Sequence, residues 1–116
     1  MLSIIQANRL LLPTCKGMEV INVSSIVRIE AISNYSKLYF TNGKTLVVAR
    51  LLKWFEEILM TVHFIRVHRT HLVNKLFIHQ YIKGEGDKIK LSTGDWIDVS
   101  RRKRSSVVQN LYNRAA

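Results

Sequence analysis

The chain of 116 residues contains one cysteine, one proline and five glycines, and only eight acidic side chains against eighteen Lys and Arg. Each shortage excludes something. Cys15 alone cannot close an internal disulfide, so the domain is expected in a reducing compartment, with Cys15 as a small buried or half-buried hydrophobe. With a single proline and 47% hydrophobic residues, long disorder is excluded and a core without staples is affordable at this length. No apolar run approaches the roughly 18 residues that a membrane-spanning helix needs. Met1 to Leu12 has apolar residues but neither a basic segment nor a small-residue cleavage site, which argues against a signal peptide. The expected location is the cytoplasm.

What the chain has in excess is positive charge. The formal net charge is +10 and the pI is about 10.2, beyond what solubility requires. A polyanion is therefore the expected partner: DNA, RNA or an acidic membrane surface. The charge is uneven, with 7 Lys and Arg against 4 acids in residues 1–61, and 11 against 4 in residues 62–116.

The chain reads as one domain over residues 1–116, without repeats or linkers. Apolar alternation predicts strands near residues 3–7, 18–23, 26–31, 37–40 and 45–48, with a loop over Pro13–Gly17 and a hairpin at Asn42-Gly43. From residue 51 the period changes. Leu51, Leu52, Phe55, Ile58 and Leu59 recur at helical spacing opposite Lys53, Glu56 and Glu57. Strands resume around Ile65 and Val67 and after Lys75. A loop covers Gly84–Asp87, and a second hairpin turns at Ser92–Asp95. Ser100 is the expected cap of a short last helix with Val107, Val108 and Leu111 on one face.

Two segments concentrate the charge. Phe64-Ile65-Arg66-Val67-His68-Arg69-Thr70-His71 hangs hydrogen-bond donors from a strand, and Ser100-Arg101-Arg102-Lys103-Arg104 repeats the theme about 30 residues later. Donors on a rigid scaffold suit an anion whose surface is also read. The order of pieces resembles a known family. Ile29-Glu30-Ala31 with Asn34-Tyr35 comes first, followed by the Gly43 hairpin and the Leu51–Leu59 helix. Phe64-x-Arg66-Val67-His68-Arg69-x-x-Leu72-Val73-Asn74 comes next, and a Gly94 hairpin then runs into Val99-Ser100-Arg101-Arg102. This looks like the LytTR DNA-binding domain of bacterial transcription regulators, over about residues 14–112.

The resemblance implies a mainly β fold, an elongated stack of antiparallel sheets of about ten strands with one or two short helices. It implies sequence-specific binding of double-stranded DNA by side chains of loops entering successive major grooves, at repeated half-sites and as a possible homodimer on DNA. Base contacts are expected from Asn34 and Ser36 in the first loop, His68 and Arg69 in the second and Arg101 in the third. Arg69 and Arg101 carry planar forks that match guanine O6 and N7. Tyr35, Lys37, Asn74, Lys75, Arg102, Lys103 and Arg104 are expected on the DNA backbone. Ser36 is short for a base reader, so Lys37 or Asn34 reads the base there, or the loop contacts phosphates alone. Neither a receiver domain nor a membrane sensor fits in the about 13 residues ahead of the motif, so a stand-alone protein or an excised domain is expected, and Met1 favours the former.

Rival chemistries have weaker support. His63, His68, His71 and His79 lack Cys or carboxylate partners at ligand spacing, and residues 68 and 71 fall on opposite faces of an ideal strand, so no metal is expected. Glu85, Asp87, Asp95 and Asp98 occupy turns where Asp and Gly serve the backbone, with no nucleophile–base pair, so neither catalysis, a cofactor nor a small-molecule substrate is expected. Trp96 and Tyr81 suit either a β core or the stacking of unpaired bases. The competing classes are an RNA or single-strand binding β module, and a basic protein- or membrane-surface module.

Overall fold

The computed structural model describes the backbone of residues 5–6, 8–59 and 63–115, with side chains over 8–59 and 63–112. Among these residues the elements are β1 (Ile5–Gln6), β2 (Arg9–Thr14), β3 (Gly17–Asn22), β4 (Ile26–Ile32), β5 (Tyr35–Phe40), β6 (Thr45–Val48), α1 (Leu52–Leu59), β7 (Phe64–His68), β8 (His71–Asn74), β9 (Ile78–Ile82), β10 (Lys88–Leu91), β11 (Trp96–Asp98) and α2 (Arg104–Ala115). The strands form three sheets, in the orders β1-β2-β3, β6-β5-β4-β8-β7 and β11-β10-β9. Every pairing is antiparallel. The mainly β, elongated stack is thus found, with extents of 44 × 31 × 27 Å. Ser3, Ile4 and Ala7 of the expected first strand lie outside the described residues.

The five-stranded sheet is buried on both faces at its β8 side. Leu72 and Val73 are sequence neighbours and so point to opposite faces. Leu72 joins Ile29, Leu38, Phe55 of α1 and Leu10 and Leu12 of β2 in one core. Val73 joins Ile65, Ile89, Ile97 and Val107 of α2 in the other. A strand covered on both sides reads as a continuous apolar run rather than an alternation, which is why Leu72-Val73 carries no period-2 signal. In α1 the buried stripe is Leu52, Phe55 and Leu59, spaced i, i+3 and i+7.

Turn chemistry sets the hairpins. At Asn42-Gly43 the backbone of Gly43 has φ 84°, and Asn42 Oδ1 accepts from the Lys44 N–H at 2.9 Å. The expected loop over Pro13–Gly17 is shorter than the sequence suggests: β2 continues through Thr14 and β3 restarts at Gly17. The Thr14 hydroxyl accepts from the Lys16 N–H and donates to the Gly17 carbonyl, each at 3.3 Å, while Gly17 adopts φ 125°, a conformation that glycine alone takes without strain. The last helix also departs from expectation. Ser100 does not cap it; α2 begins at Arg104, with Lys103 N–H donating to Ser100 O at 3.0 Å in the preceding turn. Val107 and Leu111 face the core, whereas Val108 is exposed.

Asn74, expected on the DNA backbone, is a structural residue instead. Only 2% of it is exposed. Its Oδ1 accepts from the Leu76 N–H at 3.1 Å, capping a 3-10 turn over Lys75–Phe77. Its Nδ2 donates to Ile26 O at 3.0 Å, 48 positions away in sequence. Both ends of the amide are consumed inside the fold. Replacing Asn74 with Ala should therefore destabilise the domain by about 1–3 kcal/mol in denaturant unfolding, without changing the salt dependence of DNA binding. A lowered salt dependence at unchanged stability would restore it to the interface.

Candidate nucleic-acid interface

The β7–β8 turn consists of two residues, Arg69 and Thr70, with His68 paired to His71. Its shape is held from below. The Arg66 guanidinium donates from Nε to His68 O at 2.9 Å and from Nη2 to Arg69 O at 2.6 Å. Its third nitrogen, Nη1, donates to Glu56 Oε1 of α1 at 2.6 Å. One rigid fork thus holds two carbonyls of the turn and ties them to a helix. Arg69, between them, is exposed and forms no ion pair among the described residues.

His68 is oriented by the same turn. Its Nδ1 lies 3.2 Å from the Thr70 backbone N–H, which can only donate, and 2.8 Å from Thr70 Oγ1. Nδ1 is therefore the acceptor, and the neutral ring carries its proton on Nε2. His68 and His71 do not lie on opposite faces, as an unbroken strand would require. The tight turn sets their rings side by side, 5.8 Å between centroids. No metal-holding cluster includes them among the described residues.

Backbone bonds place the other two segments against this turn. On one side Ala31 N–H donates to Thr70 O at 2.9 Å, tying in the β4–β5 turn. On the other, Ser100 N–H donates to Val67 O, also at 2.9 Å. Val67 is the residue that a bulge leaves without a partner in β8. Asn34, Arg69, Arg101 and Arg102 are exposed along this edge. Tyr35 is exposed too, and Lys37 is half-buried with Nζ 5.2 Å from the centre of the Tyr39 ring.

The remaining predicted residues are placed differently. Ser36 is 0% exposed, and its hydroxyl donates to Arg50 O at 2.7 Å. As Ala31 and Ser36 are paired across the hairpin, Ser36 shares the face that Ala31 packs against the core, and burial removes it from the base readers. Lys75 lies at the far end of β8 from the turn, roughly 13 Å along the strand at 3.3 Å per residue. Lys103 turns toward Glu56 and Arg66, lining a cleft of about 170 Å³ with them. Arg104 is half-exposed, with Nε 3.2 Å from Asp87 Oδ2.

Asp87 and Asp98 are occupied within the domain. Tyr81 donates to Asp87 Oδ2 at 2.5 Å. Burial and that bond push the Tyr81 phenol up to about 12, and the same bond holds the Asp87 carboxyl below its usual range. Lys88 donates to Asp98 Oδ1 at 2.7 Å and holds that carboxyl low as well.

Sequence reading missed the polar layer beneath the turn. Arg28 stacks on the Tyr39 ring at 3.6 Å and reaches Glu30 at 3.7 Å and Asp95 at 3.8 Å. Tyr39 donates to Glu30 Oε1 at 2.7 Å. Glu30 is paired with His71. The alternation Arg28-x-Glu30, set opposite Tyr39 and Lys37 by the β4–β5 hairpin that turns at Ser33-Asn34, was the available signal. Burial pushes the His71 pKa below 6.5, assisted by Arg28 and His68 and opposed by Glu30 and Asp98. The folded state thus holds His71 neutral more firmly than the unfolded chain does. This stability is present above pH 6.5 and is lost as the pH falls through the lower folded value. Denaturant midpoints should drop on acidification from about pH 7 to about pH 5, and His71→Gln should flatten that slope.

Comparison with known proteins agrees with this geometry. The profile of the LytTr DNA-binding domain matches residues 16–112. Among solved structures, the LytTr DNA-binding domain of a response regulator from Bacillus cereus superposes with a TM-score of 0.76 at 22% identity, over 91% of this chain and 98% of that one. That likeness establishes a shared fold. A search of curated proteins gave no match. The chain belongs to the LytTr DNA-binding domain family.

Proposed function

We propose that this domain, taken as one unit over residues 1–116, binds double-stranded DNA in a sequence-specific way and regulates bacterial transcription from the cytoplasm. It does so without catalysis or cofactor, through loops rather than a recognition helix. The observation that carries the reading is the junction of three segments. Ala31–Thr70 and Ser100–Val67 backbone bonds set Asn34, Arg69 and Arg101 along one edge, and Arg66 fixes the central turn. Arg69 and Arg101 are the proposed guanine readers, each able to contribute roughly 1–3 kcal/mol of discrimination through a bidentate contact. His68 offers its Nε2 proton beside Arg69. In the first loop Asn34 is the base reader, with Tyr35 and Lys37 on the backbone. Arg102 is the foremost phosphate contact of the third loop, with Lys103 and Arg104 contributing beside it. Lys75, at the far end of β8, is left to a more distant phosphate.

The 44 Å long axis exceeds the roughly 34 Å between successive major grooves on one side of a duplex, which suits entry into two grooves. Two copies on repeated half-sites are part of the same proposal. Among the described residues no helix is long and apolar enough to cross a membrane. A single-strand or RNA platform would need aromatic side chains in a row, whereas the exposed rings Tyr35, Trp96 and Tyr112 are scattered over β5, β11 and α2.

Binding-site selection tests the reading. Wild-type protein should return a defined duplex motif. Arg69→Ala and Arg101→Ala should each relax preference at different positions, and Arg102→Ala should weaken all sequences alike and reduce the salt slope by about one. If both arginine variants return the full wild-type motif, direct reading by these side chains is wrong.

A further inference from the structure

Ser36, removed from base reading by burial, points to a residue that the motif pattern does not include. Its hydroxyl holds the carbonyl of Arg50, and the Arg50 N–H donates to Val48 O at 2.8 Å. The other end of Arg50 is also held. Its guanidinium carbon lies 5.2 Å from the centre of the Trp54 ring, within the range of a cation–π contact. Trp54 in turn packs edge-on against the fully buried Phe55, with ring centroids 5.0 Å apart. Arg50 is nevertheless exposed and, like the exposed Lys53 one helical turn before Glu57, forms no ion pair among the described residues.

Arg50, Lys53 and Trp54 line an open concavity of about 600 Å³ together with Asn34 of the β4–β5 turn and Glu57. The concavity therefore continues the proposed reading edge past its first loop. A long cation ordinarily loses rotamer freedom when it is ordered. Here its backbone and ring contacts impose that order before any ligand arrives, which lowers the cost of binding an anion.

We propose that Arg50 and Lys53 grip the sugar-phosphate backbone of the duplex flanking the β4–β5 turn, with Ser36 and Trp54 as positioning residues for Arg50. This rests on the duplex-binding reading above but not on base reading by Arg69 and Arg101. A phosphate rather than a base edge is the partner because the cations lie beside the loop that enters the groove, and a guanidinium on an aromatic face presents its edge to a passing anion.

The test is the salt dependence of affinity, measured on a duplex lacking the selected motif and on one containing it. Arg50→Ala and Lys53→Ala should each lower the slope of log affinity against log salt by about one on both duplexes, and Arg50→Lys should restore it. The selected motif should stay the same in all three. Ser36→Ala should weaken binding in the wild-type background and add no further loss in the Arg50→Ala background; a merely structural Ser36 would cost the same in both. Where Ser36→Ala proves unfolded by thermal melting, Trp54→Leu serves the same double-mutant cycle. An unchanged slope in Arg50→Ala, a changed motif, or additive losses overturns the proposal. Because the motif-free duplex is read by charge alone, a failure of base reading leaves this measurement intact and distinguishable.

Discussion

The Arg66 guanidinium donates to the carbonyls of residues 68 and 69 and to the carboxylate of Glu56, and the geometry of the proposed reading edge depends on these three bonds. A two-residue hairpin turn leaves carbonyls facing outward, where water or a neighbouring cation would ordinarily satisfy them. Here a planar five-donor group does so from the protein side and fixes the turn to α1 at once. With the turn fixed, the Ala31–Thr70 and Ser100–Val67 bonds can carry its position to the β4–β5 turn and to the Arg101 segment. Loss of the guanidinium would free the central turn and with it the spacing of all three segments.

Below this clamp lies a second constraint. Arg28, Glu30 and Tyr39 fill the sheet face behind the turn with charge and hydrogen bonds, beside the His71 ring, rather than with apolar side chains. Within it the Tyr39–Glu30 hydrogen bond and the Arg28 stack on Tyr39 are the contacts that fix the packing. Three acids are matched internally: Glu30 by Tyr39 and Arg28, Asp98 by Lys88, and Asp87 by Tyr81 and Arg104. The cations along the edge, Arg69, Arg101 and Arg102, are left unmatched. A net charge of +10 thus becomes a directed positive edge rather than a diffuse one.

Much of this was legible in the sequence, for local reasons. Asn42-Gly43 announced its hairpin, the Leu52–Phe55–Leu59 stripe its helix, and the Arg-Val-His-Arg and Val-Ser-Arg-Arg blocks the family. What was not legible was long-range. Asn74 and Ser36 are small polar residues beside basic motifs, and only the fold shows that their partners, Ile26 O and Arg50 O, lie 48 and 14 positions away. The Pro13–Gly17 segment read as a loop because Pro and Gly punctuate chains, yet the Thr14 hydroxyl and the Gly17 backbone allow an immediate reversal. His68 and His71 were separated by the arithmetic of an unbroken strand, which fails where the strand turns between them. Arg50 carried no motif at all; its restraint by Ser36 and Trp54 exists only in three dimensions.

In the proposed complex Arg69 and Arg101 read guanines from the major groove, held apart at a fixed spacing. Methylation interference on the selected duplex tests this most directly, because guanine N7 is exposed in the major groove and adenine N3 in the minor. N7 methylation should block binding at two separate guanine positions, with sensitivity lost at one in Arg69→Ala and at the other in Arg101→Ala. Interference confined to adenine N3, or N7 sensitivity unchanged in both variants, would contradict it.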